Sequence, residues 1–537
     1  MIDFNTRKNR ILALLAILGL AFVLRIILIN KVPAGLQADE GVSLYHSFSL
    51  AETGRDPLGY SWPVHFSGFG WGENTTLAYI LIPLVKLVGL QQIWPYRLFM
   101  VLLHLIFILF GYLLAKELFG SKIALLSSLF LALSPWDMVL SRLLFNVSLL
   151  PLLYMAGLYF LLKGIRHGRK WGFLWAGLIF SLSFYTYALS FLWVPLLLII
   201  LLIVFGNEIN KLRKLDYLVF LVPLCILSLP IILFHLKTQT GILPNLTSWL
   251  NLSWPPLTVT RFNQVSFLGF AAYLWPIYFL RNYFLHFSPI FLLSNATLSI
   301  FPKALGITCL FSFPFLIFGL LAAIAKFRQQ NYKLILIWLL LAPIPVAFTM
   351  ESLPHPLRFI NAMPVLEILM AIGFYPLYQY YLKLGDKKKY YLATFLIFII
   401  LNLGLYFYDF YKIYPQDSFL AFQGADQEIT NYIQSNYAHY DKFIIPLNSE
   451  ANLTPYNYMV YSEYPPLKVQ QAKSIHLGGD FLVDKVEFKR GLTDLGEPNV
   501  KILYLVADIT YQAKYHDRSV IKEFKDLKNK TIIWAIN

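Results

Sequence analysis

Asp39 and Glu40 are adjacent carboxylates in the stretch Pro33-Ala34-Gly35-Leu36-Gln37-Ala38-Asp39-Glu40, shortly beyond an apolar run. Two acids held where a membrane ends are costly unless they do chemistry or bind something, which points to a reaction at the boundary of water and lipid. One would act as a general base, taking a proton from an acceptor hydroxyl or amine, while its neighbour orients the acceptor or tunes the pKa. Asp39 is the better base of the two. Arg97, Arg142 and Arg358 each sit at the end of an apolar run, on segments distant in sequence. Three guanidinium forks at one membrane face suit a phosphate or diphosphate. Each residue also has a plainer reading. The acid pair fits solvated loop charge or a helix cap, an interfacial arginine fits a snorkelling anchor, and His355, between Pro354 and Pro356, is open between a structural and a phosphate- or substrate-contacting role.

The elements that must hold these residues are set by composition. Of 537 residues, 58% are hydrophobic and 14% charged, and the mean hydropathy is +0.60. A soluble globule does not have this make-up, whereas a polytopic membrane protein does. Residues 11 to 29 are apolar except for Arg25, follow Arg7, Lys8 and Arg10, and lack a small-residue cleavage site. They are expected to form an uncleaved first helix with a cytoplasmic N-terminus. Cys225 and Cys309 both lie in apolar runs, so neither a disulfide framework nor a cysteine metal site is implied.

Basic clusters at Lys116 and Lys122, Lys163 to Lys170, Lys211 to Lys214, Lys326 to Lys333 and Lys383 to Lys389 punctuate the remaining apolar runs. Short basic loops stay cytoplasmic, and this orients about eleven crossings at 10–29, 95–115, 122–141, 145–163, 171–187, 189–206, 215–235, 304–326, 333–350, 358–382 and 390–411. Residues 77–90 are apolar but too short to cross and are broken by Pro83 and Lys86, so they are expected to lie in the interface. The scheme leaves outside the membrane the first loop 30–94, the turn near Arg142 and Asn146, an aromatic-rich connection 236–303, the Pro354-His355-Pro356 turn and the tail from about 412. Within that connection, 268–293 is open between dipping into the membrane and lying on it, with Trp275, Tyr278, Tyr283, Phe284 and His286 suited to an interfacial belt.

The predicted fold is mainly α: a polytopic helical bundle, residues 1–411, followed by a small extracytoplasmic α/β domain, 412–537. In the tail a polar helix is expected near 424–437 and buried strands at 443–445, 502–506 and 532–534. The net charge of +15 belongs to the membrane part, because acidic and basic residues nearly balance in the tail. That removes the case for nucleic acid as a partner. No Walker or dinucleotide glycine fingerprint is present.

The order of a first helix, Pro-x-Gly-Leu-x-x-Asp-Glu, a long external loop and Arg97-Leu98-Phe99 opening a span resembles the GT-C superfamily of polyprenyl-phosphate-sugar glycosyltransferases. The likeness is greatest to the protein O-mannosyltransferase and aminoarabinose transferase branch, including RgtA/B/C/D-like proteins. Ser134-Pro135-Trp136 with Ser141-Arg142, and His355-Pro356-Leu357-Arg358-Phe359 with Pro364, extend it over roughly 10–410. The resemblance implies that Asp39 is the catalytic base of an inverting transfer and Glu40 its acidic neighbour. It implies that Arg97 faces the donor phosphate and that Arg358 with His355 forms a basic position in the late external loop. The sequence departs from the family at two places. Asn146 stands where relatives often carry an acid four positions after the arginine matched by Arg142. Gly72-Glu73-Asn74-Thr75 replaces the Glu-Lys-Pro-Pro of aminoarabinose transferases, so the resemblance does not extend to that substrate.

The sequence therefore reads as an integral membrane glycosyltransferase of the cell membrane. It would move a hexosyl or pentosyl unit from a polyprenyl-phosphate donor to a lipid, glycan or protein acceptor on the extracytoplasmic side. Arg97, Arg142, Arg358 and His355 are the expected donor-phosphate contacts. No cofactor is specified and a divalent metal is left open, since two adjacent acids alone do not make a site. A glycolipid flippase would place broken or charged helices near the middle of the membrane, and an inactive scaffold would tolerate changes at Asp39.

Overall fold

The computed structural model describes residues 6–68, 71–240, 274–294, 297–303, 306–446, 454–472, 481–489 and 500–536. Most of the aromatic connection 236–303 lies outside this set.

Among the described residues, eight helices are long and apolar enough to cross a membrane: Arg7–Ile26, Trp94–Phe119, Asn146–His167, Ser190–Ile209, Lys214–Leu236, Gln330–Ala347, Ile360–Leu382 and Lys388–Asp417. The other three expected crossings fall on shorter helices, Ser121–Leu133, Lys170–Thr186 and Phe313–Ala325. Local chemistry explains two of the shortenings. Ser134 adopts an extended backbone and Pro135 starts a new six-residue helix, so the expected 122–141 span is broken there. The 304–326 span begins late, because a 3-10 turn at Leu310–Ser312 precedes Pro314 at the start of the helix. The Thr76–Val88 helix has 13 residues, about 20 Å at 1.5 Å per residue, short of the roughly 30 Å of a hydrocarbon core.

The chain divides into two compact units. One is built from Met1–Ile27, Leu98–Leu233 and Phe262–Asp409, the other from Leu28–Arg97, Phe234–Arg261 and Phe410–Asn537. In the first unit the helices Phe313–Ala325 and Met363–Leu382 approach until backbone meets backbone. A Cβ on Gly319 would strike the Leu369 carbonyl, and one on Gly373 would strike that of Phe315. Small residues at such crossings let membrane helices gain dispersion contacts where no hydrophobic driving force remains.

The second unit contains a hairpin, β1 Phe66–Gly68 with β2 Trp71–Glu73, and a six-stranded sheet. The sheet strands are β3 Lys442–Pro446, β4 Phe481–Val483, β5 Val486–Lys489, β6 Ile502–Ala507, β7 Val520–Lys525 and β8 Thr531–Ile536, in the order β4-β5-β3-β6-β8-β7. β3 runs parallel to both β5 and β6, and the outer pairs are antiparallel. Every residue of β6 is buried, as a continuous apolar strand between two neighbours should be. β7 forms an edge and carries Lys522 and Lys525, charges that discourage further pairing. The polar helix expected near 424–437 spans Asp426–Ser435, and the three expected strands fall in β3, β6 and β8. The other three strands of this sheet were not expected. β4 and β5 are too short for a pattern to register, and β7 exposes most of its residues.

Candidate active site

Asp39 and Glu40 open the helix Ala38–Thr53, and they are treated differently. Gln37 caps the helix: its Oε1 accepts from the Asp39 N–H at 2.5 Å, while Glu40 Oε2 accepts from the Gln37 N–H at 2.8 Å. This reciprocal pair satisfies backbone donors that a first turn leaves orphaned. Glu40 is fully buried in that role, whereas Asp39 is exposed.

The loop leading to the acids is fastened from two directions. On one side Arg97, only 3% exposed, donates to the carbonyls of Pro33 at 2.8 Å and Ile29 at 3.4 Å, and also to that of Gly35. On the other side lies the tail. A Cβ on Gly35 would collide with the Phe422 carbonyl and the backbone of Gly424, and one on Gly41 would collide with the Asn457 side chain. Both positions are glycine because a neighbouring group occupies the space of a side chain. The two N–H donors of Asn457 Nδ2 are shared among three acceptors, Leu36 O at 2.7 Å, Gln423 Oε1 at 2.7 Å and Asp426 Oδ2 at 2.8 Å. Burial pushes the Asp426 carboxyl up to about 8, opposed by its hydrogen bonds from Asn457 and the Thr454 backbone.

The same tail segment runs along the acid helix. Tyr45 donates to Tyr464 O at 2.8 Å, and Gln470 Nε2 reaches Ser49 Oγ at 3.2 Å, Thr53 Oγ1 at 2.9 Å and Asp56 O at 3.0 Å. Asp56 accepts from the Leu58 and Tyr60 N–H groups, and its burial raises the carboxyl to about 7. His46 and His65 are buried against aromatic neighbours, and burial lowers them to about 4 and about 3.

Arg142, His355 and Arg358 belong to the other unit. Arg142 is buried, with Nη2 donating to the carbonyls of Leu24 at 3.1 Å and Ile27 at 2.9 Å, where the first helix ends. Arg358 Nη2 donates to Glu351 Oε2 at 2.7 Å; the arginine is buried while the Glu351 side chain is 46% exposed. His286 Nδ1 bonds Asn282 O at 2.7 Å, and its Nε2 accepts from the His355 N–H at 3.0 Å. His355 Nδ1 in turn accepts from the Arg358 N–H at 3.3 Å. A chain of histidines and backbone donors thus shapes the Pro354-His355-Pro356 turn.

Sequence reasoning missed two polar clusters. Arg25 and Asp137 pair at 2.5 Å with both side chains fully buried, Arg25 also donates to the carbonyls of Ala21, Leu131 and Ala132, and His104 Nδ1 lies 2.6 Å from the second Asp137 oxygen. The available signal was one ionisable residue inside each of several apolar runs. Asn457 with Asp426 is the second, and nothing local marks it. Glu367 is also buried, lining a small cavity with Ser134, Thr308 and Ser312. Among the described residues no group of three or more His, Cys, Asp or Glu side chains converges to hold a metal ion.

A family model described as dolichyl-phosphate-mannose-protein mannosyltransferase matches residues 75–233. The structure is similar to ArnT from Cupriavidus metallidurans bound to undecaprenyl phosphate, with a TM-score of 0.57 at 14% identity over 98% of this chain and 97% of that one. The chain has the GT-C fold. A second GT-C structure, the archaeal oligosaccharyltransferase AglB from Archaeoglobus fulgidus in complex with an inhibitory peptide and a dolichol-phosphate, matches with a TM-score of 0.52 at 10% identity, over 94% of this chain and 70% of that one. No curated protein matches the chain. In this GT-C fold the acid pair opens the first helix of the loop that follows the first span, and the tail that fastens it lies at the other end of the sequence.

Proposed function

We propose that the protein is a membrane glycosyltransferase that moves one sugar from a polyprenyl-phosphate donor to a lipid, glycan or protein acceptor outside the cytoplasm, with Asp39 as general base. The observation that carries this reading is the division of labour within the acid pair. Glu40 is buried and committed to the helix cap, while Asp39 is presented at the surface on a turn held by buried side chains. A base needs a fixed position and access to the acceptor proton, and Asp39 combines the two.

Arg358 is our choice for the donor phosphate. Its guanidinium is held by a half-exposed carboxylate that a phosphate can replace, and the adjacent His355 turn fixes its backbone. Arg97 and Arg142 direct their donors to backbone carbonyls and position chain segments. In the inverting transfer the acceptor oxygen or nitrogen attacks the anomeric carbon, its proton passes to Asp39, and the polyprenyl phosphate leaves with the bonding electrons. The positive-inside pattern supports a cytoplasmic N-terminus and an extracytoplasmic 412–537 domain in the cell membrane. The GT-C fold and the mannosyltransferase model over 75–233 support the transferase class.

The test is incubation of the purified protein with radiolabelled undecaprenyl- and dolichyl-phosphate sugars and a membrane extract, beside Asp39→Asn. Label should enter an acceptor with the parent protein, and the variant should lose on the order of 100-fold to 10,000-fold in rate while remaining folded. Equal transfer by the variant removes Asp39 from the role. Passage of labelled donor across a vesicle without sugar transfer replaces the enzyme reading with a flippase.

A further inference from the structure

The tail touches the acid-bearing turn on both sides of Asp39. Asn457 Nδ2 donates to the carbonyl of Leu36, three residues before Asp39. The other end of the same side chain lies against the backbone of Gly41, two residues after it, so closely that any Cβ there would overlap Asn457 Oδ1. Asn457 is itself fully buried and immobilised by Asp426 and Gln423. It sits in the first turns of the helix Pro455–Tyr461, whose N-terminus is capped by Thr454 Oγ1 accepting from the Asn457 N–H at 3.2 Å. Backbone and side chain of Asn457 are therefore both fixed before it reaches the turn.

We infer that Asn457 is a positioning residue for Asp39, acting through the Leu36 carbonyl and the Gly41 backbone. The inference rests on the reading of Asp39 as base. Physically, a side-chain donor from Arg97 reaches the approach to the turn 36–41, at Gly35, and one from Asn457 reaches its first residue, Leu36. Removing the Asn457 donor leaves a buried carbonyl without its partner and opens a void beside Gly41, and both effects let the first turn of the Ala38–Thr53 helix shift. An ångström of misplacement at a reacting group costs on the order of 100-fold in rate. The remaining links along this helix, at Tyr45 and Gln470, lie beyond its first turn and do not replace the lost one.

The experiment uses the full chain in lipid nanodiscs and compares Asn457→Ala, the double variant Asn457→Asp with Asp426→Asn, Gln470→Ala and Asp39→Asn. Two quantities are read: amide hydrogen exchange at Glu40 and Gly41, whose N–H groups bond Gln37 O, and steady-state kinetics with a radiolabelled undecaprenyl-phosphate sugar that the parent protein consumes. Asn457→Ala should speed exchange at both amides and lower kcat about 10-fold to 100-fold with the donor KM within about twofold. The double variant restores an amide-to-carboxyl bond between the two tail positions but supplies no donor to Leu36. It should therefore recover part of the melting temperature lost in Asn457→Ala without recovering kcat. Gln470→Ala should leave kcat unchanged. Unaltered exchange in Asn457→Ala, recovery of kcat together with stability in the double variant, or an equal loss of kcat in Gln470→Ala each overturn the inference. Full activity of Asp39→Asn overturns the base assignment instead, and the exchange measurement then still decides whether Asn457 holds the turn.

Discussion

Arg97 and Pro33 are joined by a buried hydrogen bond of 2.8 Å, from guanidinium to carbonyl. With its bonds to Ile29 and Gly35, it ties the start of the Trp94–Phe119 helix to the chain that leaves the first span and enters the acid turn. An arginine matched by motif to a phosphate contact is here a fastener of backbone.

Arg97→Ala should accordingly act on stability first. Leaving buried carbonyls without donors costs about 1–3 kcal/mol, which should show as a lower melting temperature of the purified protein. Arg97→Lys should recover only part, because one ammonium cannot reproduce a fork that reaches separate acceptors. A parent-like melting temperature combined with weakened undecaprenyl-phosphate binding would return Arg97 to the donor site.

Glu351 and Arg358 make the opposite case, a buried cation held by a half-exposed anion. Such a pair contributes about 0–1 kcal/mol, so Glu351→Gln should tighten undecaprenyl-phosphate binding by up to about fivefold. Arg358→Ala should weaken it. Titration of the two variants with the lipid phosphate checks both, and no change in either would remove Arg358 from phosphate binding.

The Arg25–Asp137 pair is fully enclosed. Removing one partner leaves an uncompensated charge, a loss of about 3–5 kcal/mol, whereas replacing both by apolar residues of similar size is often neutral. Asp137→Ala should therefore fail to give a monodisperse peak in fluorescence-detected size exclusion, and Arg25→Met with Asp137→Leu should restore one. Restoration of the peak with loss of sugar transfer would show that the pair serves the reaction as well.

Stability of the unit that holds the first loop and the tail should fall between pH 6.5 and pH 8. Asp426 and Asp56, raised by burial to about 8 and about 7, hold their protons in the folded chain. The unfolded chain, with ordinary carboxyls near pH 4, has already released them. Their stabilisation is complete below about pH 4 and is lost as pH rises through the folded values. His46 and His65 act oppositely, but only as pH falls below their ordinary value near 6.5, because burial lowers them. Melting temperatures from pH 6.5 to 8 should thus decline in the parent and less steeply in Asp426→Asn. An equal decline in both would show that Asp426 does not hold its proton.

The sequence by itself determined what short-range chemistry encodes. Apolar runs of sufficient length, separated by basic residues, fix the helices. Gln37 three positions before Glu40 fixes the cap that presents Asp39, and continuous apolar stretches such as Ile502-Leu503-Tyr504-Leu505-Val506 fix the central strands. Exposed or very short strands, β4, β5 and β7, carry too little pattern to be read. Tertiary structure alone decided which partner each polar side chain takes. Asn457 and Leu36 lie at opposite ends of the chain, Arg25 and Asp137 on different helices, and Arg97 could equally have met a phosphate or three carbonyls. A hydrogen bond is settled by an approach of a few ångströms between groups whose separation in sequence is arbitrary. Residue types state what a group can bond, and only the folded path states what it meets.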